Sequence, residues 1–323
     1  PASTSGARQS AVRSQSALRP AQDSTRSASR AGRRSSPPIL SSFPRTRFAL
    51  TLADGARWCV QSGSVRSEPI VRHLGSVMEL GQGSEGRRLV VEVVPLSEFD
   101  PAAAALDAPG AIGELPVACY VPDPETSQAL AVATMRVSAA VVLDAMTRGA
   151  LLLHGALVER EGAGRLEGVV LAGRSGVGKT TACDRLPSPW RPLCDDATLV
   201  VRGARGGDAT YQSHPWPTWS RFATGGPGGS WDVQHAVPLR AVFFLEQAAE
   251  DGVLPLNRAR TAALLASSSR QSLGYLPRWL SPEETRAFHL QRLENATALS
   301  REVPGYILSV SLHGSFWRLV EGV

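Results

Sequence analysis

Residues 173 to 180 read Gly173-Arg174-Ser175-Gly176-Val177-Gly178-Lys179-Thr180, the G-x-x-x-x-G-K-[ST] spacing. Its physical sense is phosphate binding. Glycines without a Cβ let the backbone curl until successive N–H groups converge on phosphate oxygens, and a helix that follows presents its positive end. Lys179 is then placed to reach terminal phosphates and Thr180 to set a hydroxyl on magnesium. Of the 34 Lys and Arg residues, Lys179 is the single lysine. In a chain that otherwise uses arginine, an ammonium at this one position marks a need for a compact point charge rather than a planar fork.

Four further places carry groups suited to chemistry. Asp195 and Asp196 stand before an apolar run in Leu193-Cys194-Asp195-Asp196-Ala197-Thr198-Leu199-Val200-Val201, so one carboxylate can hold magnesium and the other can act as base. Adjacent strand residues point to opposite faces, so only one of them faces the phosphates unless the chain bends there. His154, in Leu153-His154-Gly155-Ala156, is either a core histidine bonded to backbone or a member of the site. A run from His214 to Arg221 and a glycine loop from Thr224 to Asp232 contain Trp216, Trp219 and Trp231. They read as a mobile lid with aromatic anchors for a peptide or as a packed loop. Arg221 is the first cation to consider for neutralising a transferring phosphoryl group, with Arg240 as substitute.

These residues need a strand, a loop and a helix to hold them. Leu151 to Val158 and Gly168 to Ala172 read as strands of a hairpin, Gly173 to Leu186 as loop and helix, and Leu193 to Val201 and Leu239 to Leu245 as strands. Helices are expected at Ala129 to Met146, Arg258 to Ser272 and Pro282 to Val303, and a strand at Tyr306 to Leu312. The alternation implies an α/β domain over residues 126–323. Upstream, Phe48 to Leu52, Arg57 to Gln61, Val77 to Leu80 and Leu89 to Val94 are β-prone, giving a small β-rich amino-terminal domain over 41–125, with Pro101 to Pro124 as a connector. Residues 1–40 hold seven Arg and one Asp and almost no large apolar side chain, so they read as a disordered basic tail.

Composition narrows the class. The net charge is +5, of which the tail holds +6, so the rest is close to neutral and nucleic acid is an unlikely partner. With 43% hydrophobic and 20% charged residues the chain fits a globular protein, and no stretch of about 18 apolar residues is free of charge. No membrane span is expected. Cys59, Cys119, Cys183 and Cys194 form no Cys-x-x-Cys pair, which reads as reduced thiols in a cytoplasmic protein.

The Leu-His-Gly segment, the hairpin, the Gly-x-Ser-Gly-x-Gly-Lys-Thr loop and the Asp-Asp pair, over Leu151 to Val201, resemble the HPr kinase/phosphorylase superfamily in order and spacing. His-Pro-Trp-Pro-Thr-Trp-Ser, Gly-Gly-Pro-Gly-Gly-Ser-Trp-Asp and Phe243-Phe244-Leu245-Glu246-Gln247 are similar to the SynChlorMet cassette family ScmC, an HPr-kinase-like group. The resemblance implies a P-loop fold related to phosphoenolpyruvate carboxykinase, ATP with Mg2+, and phosphorylation of a serine hydroxyl. It also implies a ribosomally made peptide as substrate and radical SAM maturation enzymes as companions. By the same carry-over, Gly173, Ser175, Gly176, Val177, Gly178, Lys179, Thr180 and Thr181 belong to the cofactor site, and Thr180 and Asp196 to the metal. Asp195, Asp196, His154 and Arg221 belong to the catalytic set. The loop ends Lys179-Thr180-Thr181 where HPr kinases usually have Ser-Glu, and their Arg-Gly signature strand has no counterpart here, which points away from HPr itself.

The expectation is an ATP-dependent kinase acting on a serine or threonine of a peptide or small protein. The rivals are a nucleotide-binding scaffold or maturation subunit without transfer activity, and a coupled ATPase using Glu246 after the apolar strand.

Overall fold

The computed structural model of the chain describes residues 45–95, 97, 117–162, 164–204, 211–223 and 228–323. The tail expected at 1–40 and most of the Pro101 to Pro124 connector lie outside the described residues. A first sheet is built from β1 (Arg47–Thr51), β2 (Arg57–Ser62), β3 (Arg87–Val94) and β4 (Val117–Pro122) in that order. The β1–β2 pair is antiparallel, and the β2–β3 and β3–β4 pairs are parallel. Helix α1 (Glu68–Val77) connects β2 to β3 and α2 (Ser127–Thr147) follows β4.

The region expected to be β-rich holds these four strands and also a helix. Pro69 opens α1, and Ile70, Val71, Leu74 and Val77 recur at helical spacing and are buried. The strand expected at Val77 to Leu80 is the end of this helix and the turn after it. β4 lies where only a connector was expected.

The second sheet holds β5 (Leu151–Gly162), β6 (Arg165–Ala172), β7 (Arg191–Cys194), β8 (Ala197–Arg202), β9 (Tyr211–Trp216), β10 (Val237–Gln247), β11 (Gly252–Pro255) and β12 (Gly305–Val310). Its main path runs β11-β12-β10-β6-β5-β8-β9, and β7 pairs with β5. Val237 and Pro238 of β10 also pair with Ser213 and Gln212 of β9, so strands 10, 6, 5, 8 and 9 close a ring. Among the described residues the parallel pairings of this sheet are β10 with β6 and β10 with β12. The helices are α3 (Lys179–Asp184), α4 (Trp219–Ala223), α5 (Arg258–Ser272), α6 (Pro282–Glu302) and α7 (Trp317–Glu321). The architecture is mixed α/β.

Alternation along the central strands sorts two cores. Leu157, Val170, Ala172, Val242 and Phe244 enter the larger one, shared with the first sheet, α1, α2, α5 and α6. Ala156, Val158, Val169, Leu171, Ala241 and Phe243 enter the smaller one, closed by Ala182 and Cys183 of α3, Trp190, Phe316 and Val320. Covering on both faces explains why β5 is apolar at successive positions on either side of His154, since each fully buried Val or Leu contributes roughly 1.5–3 kcal/mol. α2 is long and apolar enough to cross a membrane by composition, yet most of it is buried in the protein core, with Asp144 paired to Arg87 and Arg148. α5 and α6 begin at sequence-visible caps. Asn257 accepts from the Arg260 N–H, and Ser281 and Glu284 form a capping box behind Pro282.

His214 ties the two sheets together. Its ring is 1% exposed, Nδ1–H donates to the Val233 carbonyl at 2.7 Å, and Nε2 accepts from the Ala53 N–H at 3.1 Å. Burial holds its pKa below the ordinary value of about 6.5, opposed by the Val233 bond. The folded protein thus binds the proton less well than the unfolded chain, and the stability carried by neutral His214 is present above pH 6.5 and lost as pH falls below it. We expect His214→Gln to lower stability at pH 7.5 by about 1–3 kcal/mol and to flatten the acid-side loss, read by urea denaturation across pH 5–8. An unaltered pH slope in this variant assigns the acid sensitivity elsewhere.

Candidate functional site

The glycine loop leaves β6 at Ala172 and enters α3 at Lys179, the strand-loop-helix context expected from the sequence. Gly176 and Gly178 have φ of +79° and +103°, which residues with a Cβ rarely adopt. Inside the loop the Val177 N–H donates to the Arg174 carbonyl at 3.2 Å, and Gln247 Nε2 at the end of β10 donates to the Val177 carbonyl at 3.4 Å. Ser175, Thr180 and Thr181 are exposed, whereas Lys179 is only 6% exposed.

The Lys179 ammonium donates to the Gly173 carbonyl at 3.0 Å, the Arg174 carbonyl at 3.4 Å and His154 Nε2 at 2.8 Å, and it stands 3.6 Å from Asp196 Oδ1. An ammonium has no acceptor, so His154 Nε2 must accept and its proton sits on Nδ1, which faces Asp196 Oδ1 at 3.4 Å. Lysine, histidine and aspartate thus close a triangle beside the loop. Burial lowers the pKa of Lys179, with Asp196 and then Asp195 opposing the shift. Burial lowers that of His154 too, Asp196 opposing and Lys179 adding to the effect.

The strand expected from Leu193 to Val201 is broken at the acidic pair: β7 ends at Cys194 and β8 starts at Ala197. The break is built from local bonds. The Gly155 N–H donates to the Asp196 carbonyl at 2.9 Å, Cys194 Sγ–H donates to the Ala197 carbonyl at 2.9 Å, and the β5–β7 register shifts between Leu157 and Val158. The carboxylates therefore serve different neighbours. Asp196 turns to Lys179 and His154, while Asp195 pairs with Arg221 and accepts from Thr218 Oγ1 at 3.4 Å.

Arg221 is delivered by α4, which is seated by aromatic packing. Phe222 lies 5.7 Å from Trp219, 6.3 Å from Trp231 and edge-on to His73 of α1 at 5.3 Å, and the Trp231 N–H donates to the Val77 carbonyl at 2.8 Å. Trp216, Trp219 and Trp231 are all buried, which favours the packed alternative over a lid for this region; residues 224–227 of the glycine loop are outside the description. Arg240, the expected substitute, is remote from the loop, bonding the Val320 and Val323 carbonyls at 2.5 and 3.3 Å. Glu246 accepts from Ser309 Oγ at 2.7 Å on β12.

Sequence reasoning missed two supports. Ser268 of α5 brackets the strand at the histidine: the His154 N–H donates to Ser268 Oγ at 3.0 Å, and that hydroxyl donates to the His154 carbonyl at 3.3 Å. Thr218 is the other, and neither has a spacing signal. The four cysteines are free and buried, and burial pushes Cys119 and Cys183 up to about 12, so they offer no reactive thiolate.

Among the described residues no three His, Cys, Asp or Glu side chains gather into a metal cage. The donor set instead suits a phosphate-borne Mg2+, which takes one or two protein oxygens and keeps the rest for phosphate and water. Thr180 and Asp196 offer such oxygens, and Lys179 and the amides of the first turn of α3 suit phosphate oxygens.

Fold and site together define an α/β protein built around a lysine-bearing glycine loop and a split acidic pair. The chain belongs to the family of the SynChlorMet cassette protein ScmC, whose family model matches residues 117–323. The match takes in the loop, His154, both aspartates and Arg221. No curated protein matches the chain significantly.

The triangle makes a chemical prediction. Asp196→Asn removes the closest negative charge from Lys179, so the pKa of the amine should fall further. The pH midpoint of acetic-anhydride modification at Lys179, followed by peptide mapping, should then move to lower pH than in the parent protein. An unmoved midpoint would separate that carboxylate from the lysine.

Proposed function

We propose that the protein is an ATP- and Mg2+-dependent kinase that phosphorylates a serine or threonine hydroxyl of a peptide or small protein. The observation that carries the reading is the convergence of Lys179, His154 and Asp196 on one side of a glycine loop that has the P-loop spacing. ATP with magnesium, when bound, supplies the phosphoryl group and the positive charge that screens it. The protein's part is positioning and electrostatics.

Loop amides and the Lys179 ammonium bind the phosphates, and the Thr180 hydroxyl lies one residue on to meet the metal. His154 holds Lys179 through Nε2 and orients Asp196 through Nδ1–H. Asp196 Oδ1 is engaged by both neighbours, which leaves Oδ2 to take the proton of the acceptor hydroxyl as its oxygen attacks; in this role Asp196 is the base and not a metal ligand, and Thr180 is the protein oxygen left for the metal. Asp195, held by Thr218, fixes the Arg221 guanidinium, and in this reading that guanidinium neutralises the charge growing on the transferring group.

Two experiments test this reading. Mass spectrometry of the cassette-encoded peptide after incubation with the protein, ATP and Mg2+ should show phosphate on a hydroxyl. Asp196→Asn should lower that transfer by about 10²–10⁴-fold while ATP affinity, by calorimetry, changes far less. Transfer that survives in both Asp195→Asn and Asp196→Asn would show that neither carboxylate is the base, and absence of phosphate on the peptide with the parent protein would leave the scaffold reading. Separately, an acyl-phosphate derivative of ATP should acylate Lys179, the single lysine, and excess ATP should protect it. Labelling that ATP does not reduce would place the phosphates elsewhere.

A further inference from the structure

Helices α5 and α6 lie behind His154, and their outer surface is uneven in charge. Arg292 lays its guanidinium over the Phe288 ring, 5.5 Å from the centroid, and the same ring lies 5.5 Å from that of His289. Arg292 Nε is buried with no hydrogen-bond partner. Arg270, at the end of α5, is close enough that its charge adds to burial in lowering the pKa of both Arg292 and His289. Among the described residues none of the three is joined to an acid by a salt bridge.

Holding the two guanidiniums near each other without a counter-charge is unfavourable, and an anionic partner relieves it and favours the protonated form of His289. The solvent-facing acids of α6 do not serve, since by the 3.6-residue period Glu283 and Glu294 fall on the opposite flank. On the face between the flanks stand Leu290 and Leu293, 57% and 52% exposed and one turn apart. Apolar anchors beside cations match neither a free inorganic anion, which has no use for leucine, nor a nucleic acid, which seeks cations spread along a backbone and aromatic rings.

We propose that this face of α6, together with Arg270 of α5, docks a peptide segment carrying acidic side chains beside apolar ones. Its carboxylates meet Arg270, His289 and Arg292, and its apolar side chains meet Leu290 and Leu293. Arg270 lies two residues from Ser268, which clasps His154 from α5, so the α5 edge of this surface adjoins the site while the leucines stand on α6. The inference concerns binding alone and stands apart from the phosphotransfer reading.

The test is fluorescence anisotropy of the full chain with a labelled helical peptide of about 20 residues in which Leu recurs at i, i+3 and i+4 among Glu. Saturable binding that weakens as salt rises is expected. Arg270→Glu and Leu293→Ser, both at exposed positions, should each weaken it at least about fivefold, and Arg88→Glu on the first sheet should leave it unchanged. A circular-dichroism melt accompanies each variant, and Leu290→Ser replaces Leu293→Ser if the latter melts early. Absence of saturable binding, or equal binding by the Arg270 and leucine variants, overturns the proposal. So does equal competition by polyglutamate or by a single-stranded oligonucleotide, which would make the surface a charge patch blind to apolar side chains.

Discussion

The backbone of His154 and Gly155 receives both loops that carry the chemistry. The Gly173 N–H, where the glycine loop begins, donates to the His154 carbonyl at 3.3 Å, and the Gly155 N–H donates to the Asp196 carbonyl at 2.9 Å. Thr198 Oγ1 adds a bond to the Gly155 carbonyl at 2.9 Å. The second residue has to be glycine, because a Cβ there would come within 2.7 Å of Val170 Cγ1 on the neighbouring strand. A dipeptide in the middle of β5 thereby fixes how far the lysine loop stands from the acidic turn. The His154 side chain then spans that gap, touching Lys179 with one nitrogen and facing Asp196 with the other.

Such a triangle is costly to place so deep. An ammonium at 6% exposure is tolerable only because carbonyls, an imidazole and a carboxylate stand around it. In the kinase reading proposed above, these acceptors give way to phosphate oxygens, which accept equally well. The two cores on either side of the sheet supply the rigidity that keeps these distances, and the weaker polar bonds only refine them.

The glycine loop, β5, the β5–β6 hairpin, α5 and α6 were legible in the sequence because each has a local signature: fixed spacing, a continuous apolar run, or a cap. The break between β7 and β8 was half legible. Two acids before an apolar run announced a turn or a site, but the bulge that bends the chain there is set by β5, a partner about 40 residues away in sequence. β9 escaped because Pro215 and the tryptophans around it look like loop chemistry, whereas its pairing with β8 and β10 is a tertiary fact. α1 escaped for a different reason. Its β-branched residues outweighed the helical spacing that burial rewards. Arg221 was singled out for its charge alone, while its position beside Asp195 depends on the aromatic seat of α4.

That seat has a consequence for how substitutions in this chain can accumulate. The segment matched by the family begins at β4, whose neighbour β3 lies before it, and Phe222 and Trp231 rest on His73 and Val77 of α1, also before it. The amino-terminal sheet is thus coupled by packing to the segment that the family model matches. A replacement at His73 or a shift of the α1 carboxyl end is transmitted through Phe222 and Trp231 to the helix that carries Arg221. A change upstream of residue 117 is thereby felt in the geometry at the rim of the site.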